Sequence, residues 1–456
     1  MSAQSTLGIA AYLDPTTCPN IRPALAAMSP LTRELHNSID EHARDEHTAW
    51  LHPTQHTIQR DLLGSPNVIA WQEAKAAFLI AGGGAWSELP HLYARYGTPA
   101  AAMLIAQLRA LESATCALVT DTGMQALALI GDVLLTPGSH GILMRQLYNK
   151  TKTFFEWSAK RVGARITFVD DGDYDAIRAA VAPETKFLVT ETFTNPLMRA
   201  QDIPALRALL PAGAHLVVDS TIATPWAFKE PLLSRGATIV TGSLTKALSG
   251  TDTVMGGYVA TDNTDIGNAI MDLLAMRGGI LDEERCSRVT SALATSREVH
   301  ALRCESATKI AAFLAKHPAI ERVFHPSRPD HPDADVIARD YTRLGSIVSF
   351  RARGLDERAH RHLADVLVST IVPRYALSFD GLTTKVNHHK VVSEYFTPPE
   401  QLAKLGIDRL IRLGIGTEST DDIIACLNWA LHHHASTTAD ELEAWRTGRE
   451  AALALG

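Results

Sequence analysis

The sequence predicts an α/β protein: a mainly parallel sheet flanked by helices, a smaller C-terminal α+β domain, and an extended N-terminal arm. Three observations carry this. Short apolar runs recur from Cys116 onward: "CALVT", "GILM", "RITFVD", "KFLVT", "HLVVD", "TIVTG" and "GGYVA". They are too apolar to alternate, as strands covered on both faces are. Helix-like stretches such as "GMQALALIGDVLL" and "DYDAIRAAVA" separate most of them.

Taken in order, residues 1–89 form the arm. It holds a helix-like segment, "PALAAMSPLTRELHNSIDEHA", and the run Gly82, Gly83, Gly84. No lysine follows those glycines, so they read as a flexible connection rather than a phosphate loop. Residues 90–290 carry the sheet pattern and are expected to form the ligand-binding domain. Residues 291–456 change texture, to long helices ("EVHALRCESATKIAAFLAKH") and then "GSIVSFRA" and "RLIRLGIG".

Composition narrows the function classes. Apolar residues make up 46% and charged residues 20%, a globular balance. The net charge of −7 argues against nucleic acid or an anionic membrane as partner. No apolar run reaches the length of a bilayer span, and the first residues lack a signal-peptide layout. The five cysteines are scattered and odd in number, without a CxxC pair. A cytoplasmic protein without a disulfide framework or a metal site is the expectation.

Parallel sheets bind ligands at the carboxyl ends of their strands. The residues there are Gly123 and Met124 opening a helix, Tyr148, Glu191 and Asn195, Asp219, and the group Ser243, Thr245 and Lys246. A lysine after a buried strand is costly unless its amine has a partner or a covalent task. Pyridoxal phosphate would use the whole set. It needs a lysine for attachment, a carboxylate for its pyridine nitrogen, an aromatic ring to stack on, and amides or hydroxyls for its phosphate. Taken singly, Asp219 has a blander reading as a turn cap and Tyr148 as a core-edge ring, and Arg412, in the later stretch "IRLGIG", one as a surface ion pair. His388–His389 read as a loop, the His432–His434 triplet as a solvated helix end, and "HPSRPDHPDAD" as a proline-rich turn.

Eight motifs in order, "ARYGTP", "TDTGMQAL", "LYNKT", "ETFTNP", "VVDSTIATP", "GSLTKALSG", "GGYVA" and "IRLGIGTE", resemble the Cys/Met-metabolism family of pyridoxal-phosphate enzymes. That is the group of cystathionine γ-synthase, the cystathionine lyases and methionine γ-lyase. The resemblance runs from about Tyr93 to Leu431. It implies the pyridoxal-phosphate fold type I and pyridoxal 5'-phosphate as cofactor. Lys246 corresponds to the Schiff-base lysine, Asp219 to the partner of the pyridine nitrogen, and Tyr148 to the stacking tyrosine that also moves protons. Asn195 corresponds to the residue on the ring hydroxyl; Gly123, Met124, Ser243 and Thr245 correspond to the phosphate cup. The resemblance also implies that Tyr93 and Arg95 are lent to a neighbouring subunit, in a dimer that shares sites and a tetramer overall. Arg412 corresponds to the residue gripping the substrate carboxylate, and Ser378 to its helper.

This sequence departs from the family pattern in places. Asn149 and Lys150 follow the tyrosine, Asp380 replaces a glycine in "SFDG", Thr383 stands at a place many γ-specific members give to glutamate, and "NHHKVVSEYFTPPE" replaces a His-Pro and Met-Thr-His signature. The expected function is γ-elimination or γ-replacement on an L-amino acid with a leaving group at Cγ. The alternatives are β-elimination of C–S bonds, a non-catalytic cofactor-binding scaffold, and an aminotransferase.

Overall fold

The structure, a computed structural model, describes residues 93–370, 372–394 and 397–454, with two short strands, Thr48–Ala49 and Asp61–Leu62. The amino-terminal helix-like segment, Cys18 and the glycine run at 82–84 lie outside the described residues. The chain divides into two units, Met1–Pro99 and Ala100–Gly456. In the first, Thr48–Ala49 pairs antiparallel with Asp61–Leu62, and Ala94–Tyr96 form one 3-10 turn.

The second unit holds two sheets. The larger contains β1 (Cys116–Thr120), β2 (His140–Met144), β3 (Arg165–Val169), β4 (Thr185–Glu191), β5 (His215–Asp219), β6 (Ile239–Ser243) and β7 (Gly257–Thr261). Its order is β1-β7-β6-β5-β4-β2-β3. From β6 to β3 every pairing is parallel, while β7 runs antiparallel to both its neighbours. Central strands are apolar along their length because both faces are covered. Leu188, Val189, Leu216, Val217, Val218, Ile239 and Val240 are all fully buried. Each such side chain contributes about 1.5–3 kcal/mol by leaving water.

The smaller sheet contains β8 (Ile320–Phe324), β9 (Ile347–Ala352), β10 (Arg374–Tyr375), β11 (Lys385–His388) and β12 (Ile411–Gly414), in the order β8-β9-β12-β11-β10. A 34-residue helix, Glu283–Lys316, starts at an Asp282 cap and crosses residues 290–291 unbroken. Its early residues Cys286 and Val289 join the core of the large sheet, and Ala307 to Leu314 join that of the small one.

His388 and His389 correct the loop reading. His388 ends β11 and His389 opens the helix His389–Ser393; both are buried. Pairing of β11 with β12 draws them inward, a long-range effect that local sequence does not carry. The His432–His434 triplet does end a helix, Thr420–His433, with its first two imidazoles exposed. Among the described residues no cluster of His, Cys, Asp or Glu could hold a metal, and no helix is long and apolar enough to cross a membrane.

One buried pair gives the fold a pH dependence. Glu112 lies in the helix Pro99–Glu112, and its Oε1 accepts a 2.5 Å hydrogen bond from Tyr258 of β7. Burial pushes its carboxyl from 4.5 up to about 7. The folded chain therefore holds this proton more tightly than the unfolded one. The stabilisation is full below about pH 4.5 and is lost as pH rises through about 7. Glu112→Gln keeps an acceptor for the phenol and removes the charge. It is expected to match the parent at pH 5 and exceed it by about 2–3 kcal/mol at pH 8 in urea unfolding.

Candidate active site

Three parallel strands end side by side. Glu191, last in β4, pairs in register with Asp219, last in β5, and Asp219 pairs with Thr241 of β6. Beyond Ser243 the chain turns into a short helical stretch, Leu244–Leu248, in which Lys246 breaks the helical backbone (φ −86°, ψ −130°). Leu244, Ala247 and Leu248 anchor that turn by burial and leave Lys246 half-buried.

The Lys246 Nζ donates to Ser378 Oγ at 2.5 Å, a contact across 132 residues, and lies 5.4 Å from the Phe379 ring centre. Burial pushes its amine below the usual lysine range; Asp252 and Asp380 pull it back up, and Lys385 and Arg412 press it down again. A surface lysine would be held more firmly as the ammonium. This one is poised nearer to the free amine.

Asp219 is held by Thr221, whose N–H and hydroxyl both donate to Oδ1, at 2.9 and 2.6 Å. The Thr221 oxygen also accepts from Ser243 N–H at 2.8 Å. Burial raises the Asp219 carboxyl, and the Thr221 bonds oppose it. Glu191 accepts from the Tyr148 N–H at 2.6 Å, and burial, then Asp219, push it well above the carboxylate range. Neither carboxylate makes an ion pair among the described residues. Two acids at adjacent strand ends, with Lys152 acting on Glu191 only from beyond ion-pair distance, favour a state in which one stays protonated or a ligand brings positive charge.

Tyr148 caps the helix Asn149–Val162 and is 52% exposed, a ring open to a ligand. Thr122 caps Gly123–Leu134 by accepting from Gln125 N–H at 3.0 Å. The amides of Gly123 and Met124, at the head of that helix, have no intrahelical acceptor and face the positive end of its dipole. Close approach is what makes glycine necessary here. A Cβ at Gly123 would stand 3.1 Å from Ser243 Cβ, and one at Gly257 only 2.4 Å from the Thr122 carbonyl oxygen. Thr245 accepts from Gly256 N–H at 3.1 Å.

Arg412 is 3% exposed on β12. Its Nη2 donates to the carbonyls of Ser378 (2.9 Å) and Leu377 (3.3 Å), and its Nη1 to Asn195 Oδ1 (3.3 Å). Its Nε is buried without a partner, and it makes no ion pair among the described residues. Burial pushes the guanidinium down to about 10, with Asp380 opposing. A buried cation in this state invites an anion.

A ligand fits this arrangement if it brings a cationic ring nitrogen for Asp219, a phosphate for the helix head at Gly123 and an aldehyde for the Lys246 amine. Fold and site together define the class: pyridoxal-phosphate enzymes of fold type I. Residues 73–432 match the family described as Cys/Met metabolism PLP-dependent enzyme. The chain belongs to that family, is a pyridoxal-phosphate-dependent lyase or transferase, and takes pyridoxal 5'-phosphate as its cofactor.

It is 30% identical over 352 residues to an L-methionine gamma-lyase of Fusobacterium nucleatum subsp. polymorphum, covering 76% of this chain and 87% of that protein. It is 31% identical over 342 residues to a cystathionine gamma-synthase of Escherichia coli (strain K12), covering 74% and 86%. A crystal structure of cystathionine gamma synthase from Xanthomonas oryzae pv. oryzae in complex with cystathionine superimposes with a TM-score of 0.72 at 27% identity, covering 77% and 90%.

The structure gathers Lys246, Ser378, Arg412 and Asn195 through direct contacts, and sets Asp219 and Ser243 on either side of Thr221. Tyr93 and Arg95 lie in the first unit, with the Arg95 guanidinium 4.9 Å over the Tyr93 ring. Sequence reasoning missed Thr221 and Phe379. A hydroxyl two residues after a strand-ending aspartate was the available signal for Thr221; Phe379 had none.

Proposed function

We propose that this enzyme catalyses γ-elimination or γ-replacement on an L-amino acid carrying a leaving group at Cγ. The carrying observation is that one residue, Ser378, serves both ends of the reacting unit. Its hydroxyl accepts from Lys246 Nζ and its carbonyl from Arg412. The base and the carboxylate clamp are thereby held at a fixed separation, which is what proton transfer at the carbon next to a carboxylate requires.

In this reading Asp219, kept in place by Thr221, holds the pyridine nitrogen, and Tyr148 stacks on the ring. Gly123, Met124, Ser243 and Thr245 hold the phosphate, and Asn195 the ring hydroxyl. When bound, the cofactor withdraws electrons from the substrate's Cα. The chain's own residues do the rest. Arg412 binds and orients the α-carboxylate. Lys246 would take the proton from Cα, hand it on to the cofactor carbon that had carried the lysine, and, a free amine again, take a proton from Cβ so that the Cγ substituent can depart. The Tyr148 phenol moves a proton to the leaving group.

Relatives named for γ chemistry and one named for β chemistry match at the same level, so a substrate panel decides between the two. Asn149 and Lys150 after Tyr148 favour a leaving group other than the thioether of methionine. Tyr93 and Arg95 complete a neighbouring subunit's site in a dimer, two of which form a tetramer.

A panel of amino acids with sulfur, oxygen or halogen at Cγ, and the matching Cβ series, tests the proposal by product identification. Four-carbon keto acids or new Cγ-substituted amino acids are expected. Pyruvate from the Cβ series alone would replace γ with β chemistry.

A further inference from the structure

The loop that carries Ser378 contains a costly residue. Asp380 is 2% exposed and sits at φ +64°, followed by Gly381 at φ +99°. Left-handed backbone suits glycine; aspartate tolerates it better than most residues but at a cost, to which burial of a carboxylate adds. The Asp380 side chain meets that cost with a specific set of contacts. Its Oδ1 accepts from Ser346 Oγ at 2.9 Å and lies 3.8 Å from Nη1 of Arg303, whose side chain is fully buried. Arg303 also donates to the Gly250 carbonyl, and Gly250 N–H in turn donates to the Lys246 carbonyl at 3.2 Å. A second tie joins the same two stretches, from Lys385 to Asp252.

The charges around the site make Asp380 the shared anion. Lys246 faces Asp252, Asp380, Lys385 and Arg412. Asp252 is already taken by Lys385. Among the described residues, Asp380 is the one charge that opposes the desolvation of Arg412. Arg303 faces Asp380, Cys304, Asp252 and Glu418, of which Glu418 is bonded to Thr384. Asp380 itself is raised by burial and lowered by Arg303, Ser346, Lys246 and Lys385. Lys246 and Arg412, two like charges beside one Phe379 ring, thus share Asp380, which neither contacts directly; Asp252 acts more strongly on Lys246 but is itself bonded to Lys385.

We propose that Asp380 is a positioning residue whose buried carboxylate holds the charge of Lys246 and Arg412 and, through Arg303 and Gly250, ties the Ser378 loop to the lysine turn. This rests on reading Lys246 as the cofactor-bearing base. It sets how readily that amine gives up its proton, and it explains why a carboxylate occupies a position whose backbone suits glycine.

The test is the titration of Lys246 in the full-length protein after removal of the cofactor with hydroxylamine. Labelling with acetic anhydride is followed by mass spectrometry of the residue-246 peptide, with the exposed Lys186 as internal reference. In Asp380→Asn the labelling midpoint is expected to fall. At a pH below both midpoints the amine should react roughly three- to tenfold faster than in the parent, because the ammonium has lost one of its two nearby carboxylates. A merely structural role predicts the opposite direction: a loosened loop hydrates Lys246 and raises its midpoint. Since Asp380→Asn leaves Arg303 buried without its anion, Asp380→Asn/Arg303→Met, which removes both charges, is the second variant, and the same fall is expected. Melting curves establish which variants are folded. An unchanged or raised midpoint in the folded variants overturns the proposal. Failure of the cofactor reading shows separately, as parent protein with no borohydride-fixed pyridoxyl group on Lys246.

Discussion

Replacing Lys246 with alanine is expected to lower turnover by roughly three orders of magnitude or more, since it deletes the covalent anchor and the base together. It should also leave no borohydride-fixed pyridoxyl group on the chain. The fold should survive. Leu244, Ala247 and Leu248 hold the turn by burial, and the lysine side chain itself adds only its bond to Ser378 and its approach to Phe379. Loss of a partly desolvated amine is not costly to stability. Steady-state kinetics, intact mass after reduction, and a melting curve check the three parts. Turnover within tenfold of the parent would remove residue 246 from the chemistry.

The second large effect is at Arg412. Its guanidinium already spends donors on the Ser378, Leu377 and Asn195 oxygens, and its Nε is left buried without an acceptor. A substrate carboxylate supplies that acceptor and the missing negative charge. Only a planar fork can meet the carbonyls behind it and a carboxylate in front, so lysine is not a conservative replacement. Arg412→Lys is expected to raise KM roughly 100-fold, about 3 kcal/mol, with a smaller effect on kcat. A KM within threefold of the parent would place the carboxylate elsewhere.

Much of the site was legible because its residues sit at strand ends, and strand ends follow from local pattern. "CALVT" and "HLVVD" are the strands Cys116–Thr120 and His215–Asp219 residue for residue. The remaining strands of the large sheet differ from their apolar runs by one or two residues. Once those ends are fixed, right-handed parallel crossovers bring Glu191, Asp219 and Lys246 to one edge. The departure of "SFDG" from the family pattern drew attention to Asp380. Its partner Arg303, in the middle of a long helix, carried no mark.

The sequence by itself determined the sheet, the order of its strands along the chain and the chemical set offered at their tips, because hydrophobic periodicity and turn chemistry act over a few residues. The tertiary structure alone decided which charges answer one another. Ser378 reaches Lys246, Arg303 reaches Asp380 and Lys385 reaches Asp252 across tens to more than a hundred residues. Burial then shifts the proton affinity of each. His388 and His389 show the same thing from the other side, turning from an expected loop into buried residues once β11 pairs with β12. Desolvation and Coulomb interaction depend on distance and surroundings in space, and neither is encoded in spacing along the chain.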